Sequence, residues 1–258
     1  MRGRAIQAVV LVAGRGERLR PLTRFTPKPL IPLGGVPLLG RTLGLLEQAG
    51  IRTITLVTGY RERQVITYVR NEFRHLRIRF VRNPIYAKSN TLYSLWMARH
   101  AVKGKPFLLI DGDLVFEPRV LETALAKGIN LVLCDRSTEV DPEAVKVYGK
   151  GFRSRVLHIG KAAQAGLAPL GESIGFARIG ARNSHRLFAA CGMILRAQGQ
   201  MCYYEAAFQT LIEEGVNFWV EDIQGAKWVE IDTNSDLMRA RSLFSPKSIK
   251  SNQHGERE

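Results

Sequence analysis

Cysteine is scarce in this chain: Cys134, Cys191 and Cys202 are the three among 258 residues. An odd number without metal-ligand spacing argues against a disulfide framework or a thiolate zinc site, and fits free thiols in a reducing cytoplasm. The five histidines, His75, His100, His158, His185 and His254, are scattered and make no zinc pattern either. No apolar run approaches the roughly 20 residues of a membrane span, and the N-terminal apolar stretch is too short for a secretory leader. Acidic residues are outnumbered, 23 against 38 Lys and Arg, for a formal charge of +15. Such an excess can mark a nucleic-acid surface. Here, however, the arginines are spread along the chain, with no basic helix and no aromatic–basic alternation, so no specific nucleic-acid partner is expected.

What the chain does have is concentrated in Val9–Pro37, VVLVAGRGERLRPLTRFTPKPLIPLGGVP. The apolar run Ala8–Val12 reads as a strand buried on both faces. It stops at Ala13-Gly14-Arg15-Gly16, where two glycines let the backbone turn sharply and bring N–H groups close to a ligand. Arg15, Arg18, Arg20, Arg24 and Lys28 follow, opposed only by Glu17. A strand, a glycine turn and a run of cations describe a place to hold several phosphates. Lys28 lies between Pro27 and Pro29, which predicts an extended, stiffly aimed lysine. Leu19 stands where a dinucleotide fingerprint needs its third glycine, and no Gly-Lys-Ser/Thr closes a P-loop. An ordinary βα turn with a solvated arginine face would leave both Lys28 and the second pair, Gly34-Gly35, without a role.

GRGERLRPLT followed by PKPLIPLGGVPLL resembles the signature of the sugar-phosphate nucleotidyltransferase superfamily, and the resemblance runs from about Ala5 to Phe244. It implies a loop of Ala13, Gly14 and Gly16 around a nucleotide triphosphate, with Arg18 and Lys28 as the catalytic cations that neutralise it.

Beyond the loop, predicted helices Leu38–Ala49 and Glu62–Phe73 alternate with strands Thr53–Thr58 and Ile78–Val81, which argues a parallel sheet covered on both faces. In such sheets ligands bind beyond the carboxyl ends of the strands. The segment Arg82–Ser94, RNPIYAKSNTLYS, offers Asn83 and Asn90, whose amides could read a base edge. A lone Asn more often caps a helix or makes a turn. The segment is similar to the cytidylyltransferase branch, including phosphocholine enzymes, and this implies CTP as nucleotide with Asn83, Asn90 and Thr91 near it.

A helix over Thr91–Ala101 leads to strand Phe107–Ile110 and Asp111-Gly112-Asp113. The sequence alone allows an ordinary turn or oxygen ligands for magnesium. The resemblance makes Asp113 the metal-binding aspartate, with Asp111 in support, and Asp232 of Glu230-Ile231-Asp232 the second ligand. Thr233 and Asp236 then have the spacing of a capping box.

Helix Pro118–Lys127 and strand Asn130–Cys134 continue the alternation. The short runs Ala144–Tyr148, Arg153–Ile159 and Ser173–Ile179 then predict an antiparallel acceptor-side insertion over about residues 140–200. Helices Ser184–Arg196 and Tyr204–Glu214 and strands Asn217–Glu221 and Lys227–Ile231 complete the domain. By resemblance, Lys146 and Lys161 face substrate phosphates, and Glu172 faces the acceptor. The segment Tyr203-Tyr204-Glu205, with Glu172 and Trp228, could surround a cationic head group on the acceptor side, or Tyr203 and Trp228 could simply be core residues and Glu205 an exposed one.

These readings give a doubly wound, mostly parallel α/β domain over residues 1–244 with a small antiparallel insertion. The polar tail, 245–258, reads as disordered. No hexapeptide repeat or membrane-bound phosphotransferase is expected to follow. The implied activity is magnesium-dependent transfer of CMP from CTP to a small phosphorylated acceptor such as phosphocholine. The alternatives are a uridylyl- or thymidylyltransferase acting on a sugar-1-phosphate, and a non-catalytic nucleotide-binding regulator.

Overall fold

Strand β1 (Gln7–Val12) sends alternate side chains into two cores, Val9 and Leu11 to one face and Ala8, Val10 and Val12 to the other. This is the pattern of a strand at the centre of a covered sheet. The structure, a computed structural model, describes residues 6–126, 130–136 and 143–244. The expected helix end at Lys127, the start of the insertion at 140–142 and the tail 245–258 lie outside the described residues.

After β1 come the hairpin β2 (Pro32–Leu33) and β3 (Val36–Pro37), then α1 (Leu38–Gln48), β4 (Thr53–Thr58), α2 (Glu62–Glu72) and β5 (Arg77–Arg82). The predicted helix Thr91–Ala101 is in fact two, α3 (Thr91–Met97) and α4 (Arg99–Val102). It breaks at Ala98, whose N–H takes the tighter bond to Leu95 O. Next are β6 (Phe107–Asp111), β7 (Leu114–Phe116), α5 (Pro118–Ala126) and β8 (Leu131–Asp135). The acceptor-side strands are β9 (Lys146–Gly149), β10 (Val156–Gly160) and the long β11 (Gly171–Ile179). They are followed by α6 (Ala181–Gln198), α7 (Glu205–Glu213), β12 (Trp219–Asp222), β13 (Trp228–Glu230) and α8 (Asn234–Leu243).

The main sheet runs β10-β9-β11-β6-β1-β4-β5, with β8 on the second edge of β11 and β12 beyond it. Strands β6, β1, β4 and β5 are mutually parallel, whereas β11 is antiparallel to β6, β8 and β9. The mostly parallel α/β sheet with its antiparallel portion is therefore as the sequence predicts. From β1 the chain crosses to β4 and β5 on one side, then returns to β6 on the other. The carboxyl end of β1 is thus a topological switch point, the place where open α/β sheets bind ligands.

A third, smaller core lies under the loop after β1: Leu19, Ile31, Leu33, Leu38, Val115, Val229, Ile231 and Leu237. Leu19 is fully buried there, so the residue that spoils a dinucleotide fingerprint anchors the glycine loop instead. Gly34 and Gly35 both have positive φ, 60° and 83°, and form the two-residue turn of the β2–β3 hairpin.

Candidate active site

The loop after β1 turns at Gly16, which sits in the left-handed region at φ 59°. A Cβ there would meet Lys28 Cβ and Thr23 Cγ2 at 3.0 Å, so only glycine fits. At Gly14 a Cβ would meet nothing within 4 Å; its bare backbone faces open space. The loop borders a cleft of about 380 Å³, lined among others by Gly14, Gly16, Arg18, Lys28, Gly112, Asp113 and Asp232. A larger hollow of about 810 Å³ behind β7 is lined by Arg41, Leu45, Phe116 and Phe244 and contains none of these groups.

Lys28 is not extended, as its flanking prolines predict. It opens a single 3₁₀ turn, with Leu30 N–H donating to Pro27 O and Ile31 N–H to Lys28 O. Pro29 has no N–H to lose in that first turn, so the turn tolerates it. The Lys28 side chain is buried, and its Nζ lies 2.7 Å from Asp113 Oδ2 and 2.7 Å from Asp232 Oδ1. Arg18 reaches the other oxygen of the second aspartate, Nη2 to Oδ2 at 2.5 Å. Burial alone would lower the lysine pKa, but the two carboxylates outweigh it and the net shift is upward. Burial would likewise raise the Asp232 pKa, and Lys28 and Arg18 bring it below the usual value. Arg15 and Arg20 pair with Glu17 in solvent.

Asp113 reaches the cleft because Gly112 lets β6 close on β1. A Cβ at Gly112 would lie 2.4 Å from Val12 Cγ1 and 2.5 Å from Leu11 O. The glycine of Asp-Gly-Asp is therefore a packing requirement. On the opposite side, β13 pairs with β7, and Ile231 N–H donates to Asp113 O, bringing Asp232 across from Asp113. Helix α8 begins just beyond with the expected capping box of Thr233 and Asp236, and Asp236 also accepts from Asp232 N–H. This fixes the aspartate's backbone.

Sequence reasoning missed Glu230. Its carboxyl lies with those of Asp113 and Asp232, one oxygen from each within 4.8 Å of the others. The signal was present: Glu230 and Asp232 are two residues apart at a strand end, so their side chains project from the same face. Loss of solvent around its carboxyl, then Asp113 and Asp232, raise the Glu230 pKa, although much of the residue is exposed. The set suits a hard divalent cation, since Asp113 Oδ1 is buried without a partner and three carboxylates exceed what the nearby cations neutralise.

Asp111 is not part of that group. Its Oδ2 accepts from the Tyr204 hydroxyl, its Oδ1 is buried without a partner, and burial with Asp113, Glu205 and Glu230 nearby pushes its pKa well up. Tyr204 is a core residue. Glu205 is buried at the start of α7, and burial raises its pKa to about 7 against the opposing effects of its backbone hydrogen bond, Lys161 and Tyr204. Lys161 lies over the Tyr203 ring and 3.9 Å from Glu143. Lys146 Nζ donates to Ala144 O and Lys161 O. Glu172, on β11, pairs in register with Lys146 and Asp135. Trp228 packs against the core and donates its indole N–H to Asp135.

The two asparagines take the cap and turn roles that the sequence also allowed. Asn83 is buried, its Nδ2 donating to Ser89 and Ser94 hydroxyls and its Oδ1 accepting from Ile85 N–H. Both polar atoms of its amide are engaged in holding the β5–α3 connection, and the side chain is buried away from the cleft surface. Asn90 is the N-cap of α3, its Oδ1 accepting from Thr91 N–H; Thr91 Oγ1 in turn accepts from Tyr204 N–H.

Known proteins resemble this chain along nearly its whole length. The chain is 33% identical over 254 residues to CMP-5'-(3-aminopropyl)phosphonate synthase of Streptomyces rubellomurinus, covering 93% of this chain and 39% of the relative. It is 27% identical over 251 residues to the bifunctional IPC transferase and DIPP synthase of Aquifex aeolicus, covering 94% of this chain and 53% of that one. The chain thus spans about half the length or less of these curated relatives. Among solved structures, the inositol-1-phosphate CTP transferase from T. maritima superposes with a TM-score of 0.77 at 23% identity, covering 94% of this chain and 97% of that one, and so shares the fold. The model of the MobA-like NTP transferase domain matches residues 8–174, well over half of the chain, which therefore belongs to that family.

Proposed function

We propose that the protein is a nucleotidyltransferase that moves CMP from CTP to the phosphate or phosphonate oxygen of a small acceptor, releasing pyrophosphate. One observation carries the reading: two cations on the glycine loop, Lys28 and Arg18, meet two aspartates from opposite strands, Asp113 and Asp232, at the floor of one cleft. Phosphoryl chemistry of this kind needs alignment and charge neutralisation more than covalent catalysis. The backbone of Ala13, Gly14 and Gly16 would cradle the triphosphate. Lys28 and Arg18 would stabilise the charge on the departing pyrophosphate. Magnesium, held by Asp113 and Asp232 with Glu230 beside them, would supply Lewis-acid stabilisation of the reacting phosphate oxygens.

CTP is favoured by the names of the relatives, CMP-aminopropylphosphonate synthase and inositol-1-phosphate CTP transferase. Asn90 is the remaining asparagine near the base. The acceptor would lie along β9–β11 and α7, where Lys161, Tyr203 and Glu205 meet. The test is pyrophosphate release across a panel of nucleotides crossed with aminoalkylphosphonates, phosphocholine and inositol-1-phosphate. Use of UTP or dTTP with a sugar-1-phosphate alone would move the protein to the sugar branch. No release from any pair would leave a nucleotide-binding regulator.

A further inference from the structure

We propose that Lys28 is the resident counter-ion of the carboxylate cluster, and that the metal and the lysine exchange there. While no nucleotide is bound, its ammonium keeps divalent ions out. Resting on the nucleotidyl-transfer reading, the site then takes its metal together with the triphosphate that accepts the lysine.

The geometry supports this from several directions. Lys28 Nζ stands 2.7 Å from an oxygen of each aspartate, between the two groups that a bridging cation would also have to contact. Arg18 occupies the remaining oxygen of Asp232. Lys28 donates to one oxygen of each aspartate, Asp113 Oδ1 stays buried without a partner, and Glu230 stands beside the pair. The cluster thus provides more oxygen ligands than the lysine can satisfy, as expected where a smaller ligand stands in for a larger demand. A second cation placed among these oxygens with Lys28 still there would lie against a like charge.

The lysine can leave without disturbing the fold. Its backbone is fixed by the Pro27–Ile31 turn and by buried Ile31, so the four-carbon stem alone moves. That stem lies against Gly16, where a Cβ would meet Lys28 Cβ at 3.0 Å and Cδ at 3.3 Å. The bare glycine loop is therefore within the swing of the ammonium. A free divalent ion brings no anion to receive the lysine, whereas a metal–triphosphate chelate brings both exchange partners.

Mn²⁺ binding to the full chain, measured by EPR or calorimetry without nucleotide, tests the exchange. Lys28→Met keeps the length of the stem and removes the charge. It is expected to bind Mn²⁺ at least about tenfold tighter than wild type, and Mn²⁺ should raise its melting temperature by more than it raises that of wild type. Equal or weaker binding by the variant overturns the proposal. So does a gain that survives Asp113→Asn in the same background, because the ion would then lie elsewhere. Should Lys28→Met not fold, the wild type decides: its Mn²⁺ affinity should rise at least about tenfold with a non-hydrolysable CTP analogue, and an unchanged affinity overturns the exchange. A wild type that releases no pyrophosphate with any nucleotide fails the proposed reaction, while the nucleotide-free Mn²⁺ titrations still read the lysine's hold on the site.

Discussion

The Tyr204 hydroxyl donates to Asp111 Oδ2 across 2.9 Å, tying the start of α7 to the carboxyl end of β6. The contact is possible because Gly175, at φ 71°, has no side chain; a Cβ there would lie 2.6 Å from the same oxygen. Asp111 is thereby tied to α7 and does not join the carboxyl cluster of Asp113, Glu230 and Asp232. Tyr204→Phe should cost about 1–3 kcal/mol of stability in urea unfolding, the penalty for stranding a buried acceptor. The metal concentration dependence of turnover should not change. A shift in that dependence would mean that Asp111 acts on the metal after all.

Glu205 makes stability depend on pH. Burial lifts its carboxyl to about 7 in the folded protein, from the ordinary 4.5 that holds when it is unfolded. Below about 4.5 it is neutral in both states and costs nothing. Between 4.5 and 7 the unfolded chain ionises first, so stability falls as pH rises, and above 7 the full penalty, about 3 kcal/mol, is in place. Glu205→Gln should therefore gain melting temperature over wild type at pH 8 and little at pH 4. A constant difference across that range would show that the folded carboxyl is ionised throughout.

Lys28→Ala should lower turnover by roughly two to three orders of magnitude, the scale of a lost oxyanion donor. Single-turnover kinetics with the preferred nucleotide measure this, with circular dichroism to check the fold. Near-normal turnover would reduce Lys28 to a structural partner of the two aspartates.

Asp113→Asn should abolish the response of activity to added divalent ion, and Glu230→Gln should raise the metal concentration needed for half-maximal rate. Full activity in excess chelator would remove the metal from the reaction.

Asn83→Ala should weaken the fold, because Ser89, Ser94 and Ile85 N–H lose their partner, while the ratio of CTP to UTP use stays as in wild type. A changed ratio with unchanged melting would return Asn83 to the base.

The local signals in the sequence carried far. Strand β4 has the predicted limits, since a run such as Thr53–Thr58 between turn residues has few other options. The capping box at Thr233 and the C-terminal stop of α1 are equally local, each set by residues three or four apart. The turn at Gly16 was legible in the letters, while the meeting of Asp113 with Asp232 came from the family resemblance and is matched by their juxtaposition in the structure. Hydrogen-bond allocation was not legible. Asn83 looks like a recognition residue in a string of letters, and only the folded neighbourhood reveals that two serines and a backbone N–H already occupy it. Lys28 looks aimed at a ligand, yet its partners are 85 and 204 residues away. Contacts of that span depend on the sheet order, which periodicity does not encode.

Strand β11 is gripped along both edges, by β6 and β9 on one side and by β8 on the other. Its nine residues run from the acceptor-side ribbon into the parallel half of the sheet, but the pairing with β8 shifts register between Ser173 and Ala177, around Gly175. The two halves consequently share one strand with an irregular middle, β9 holding its first residues and β6 its last. A bulged strand bends more easily at the bulge than elsewhere, so clearance for an acceptor can be taken up at that point while the end of β11 beside β6 keeps its register.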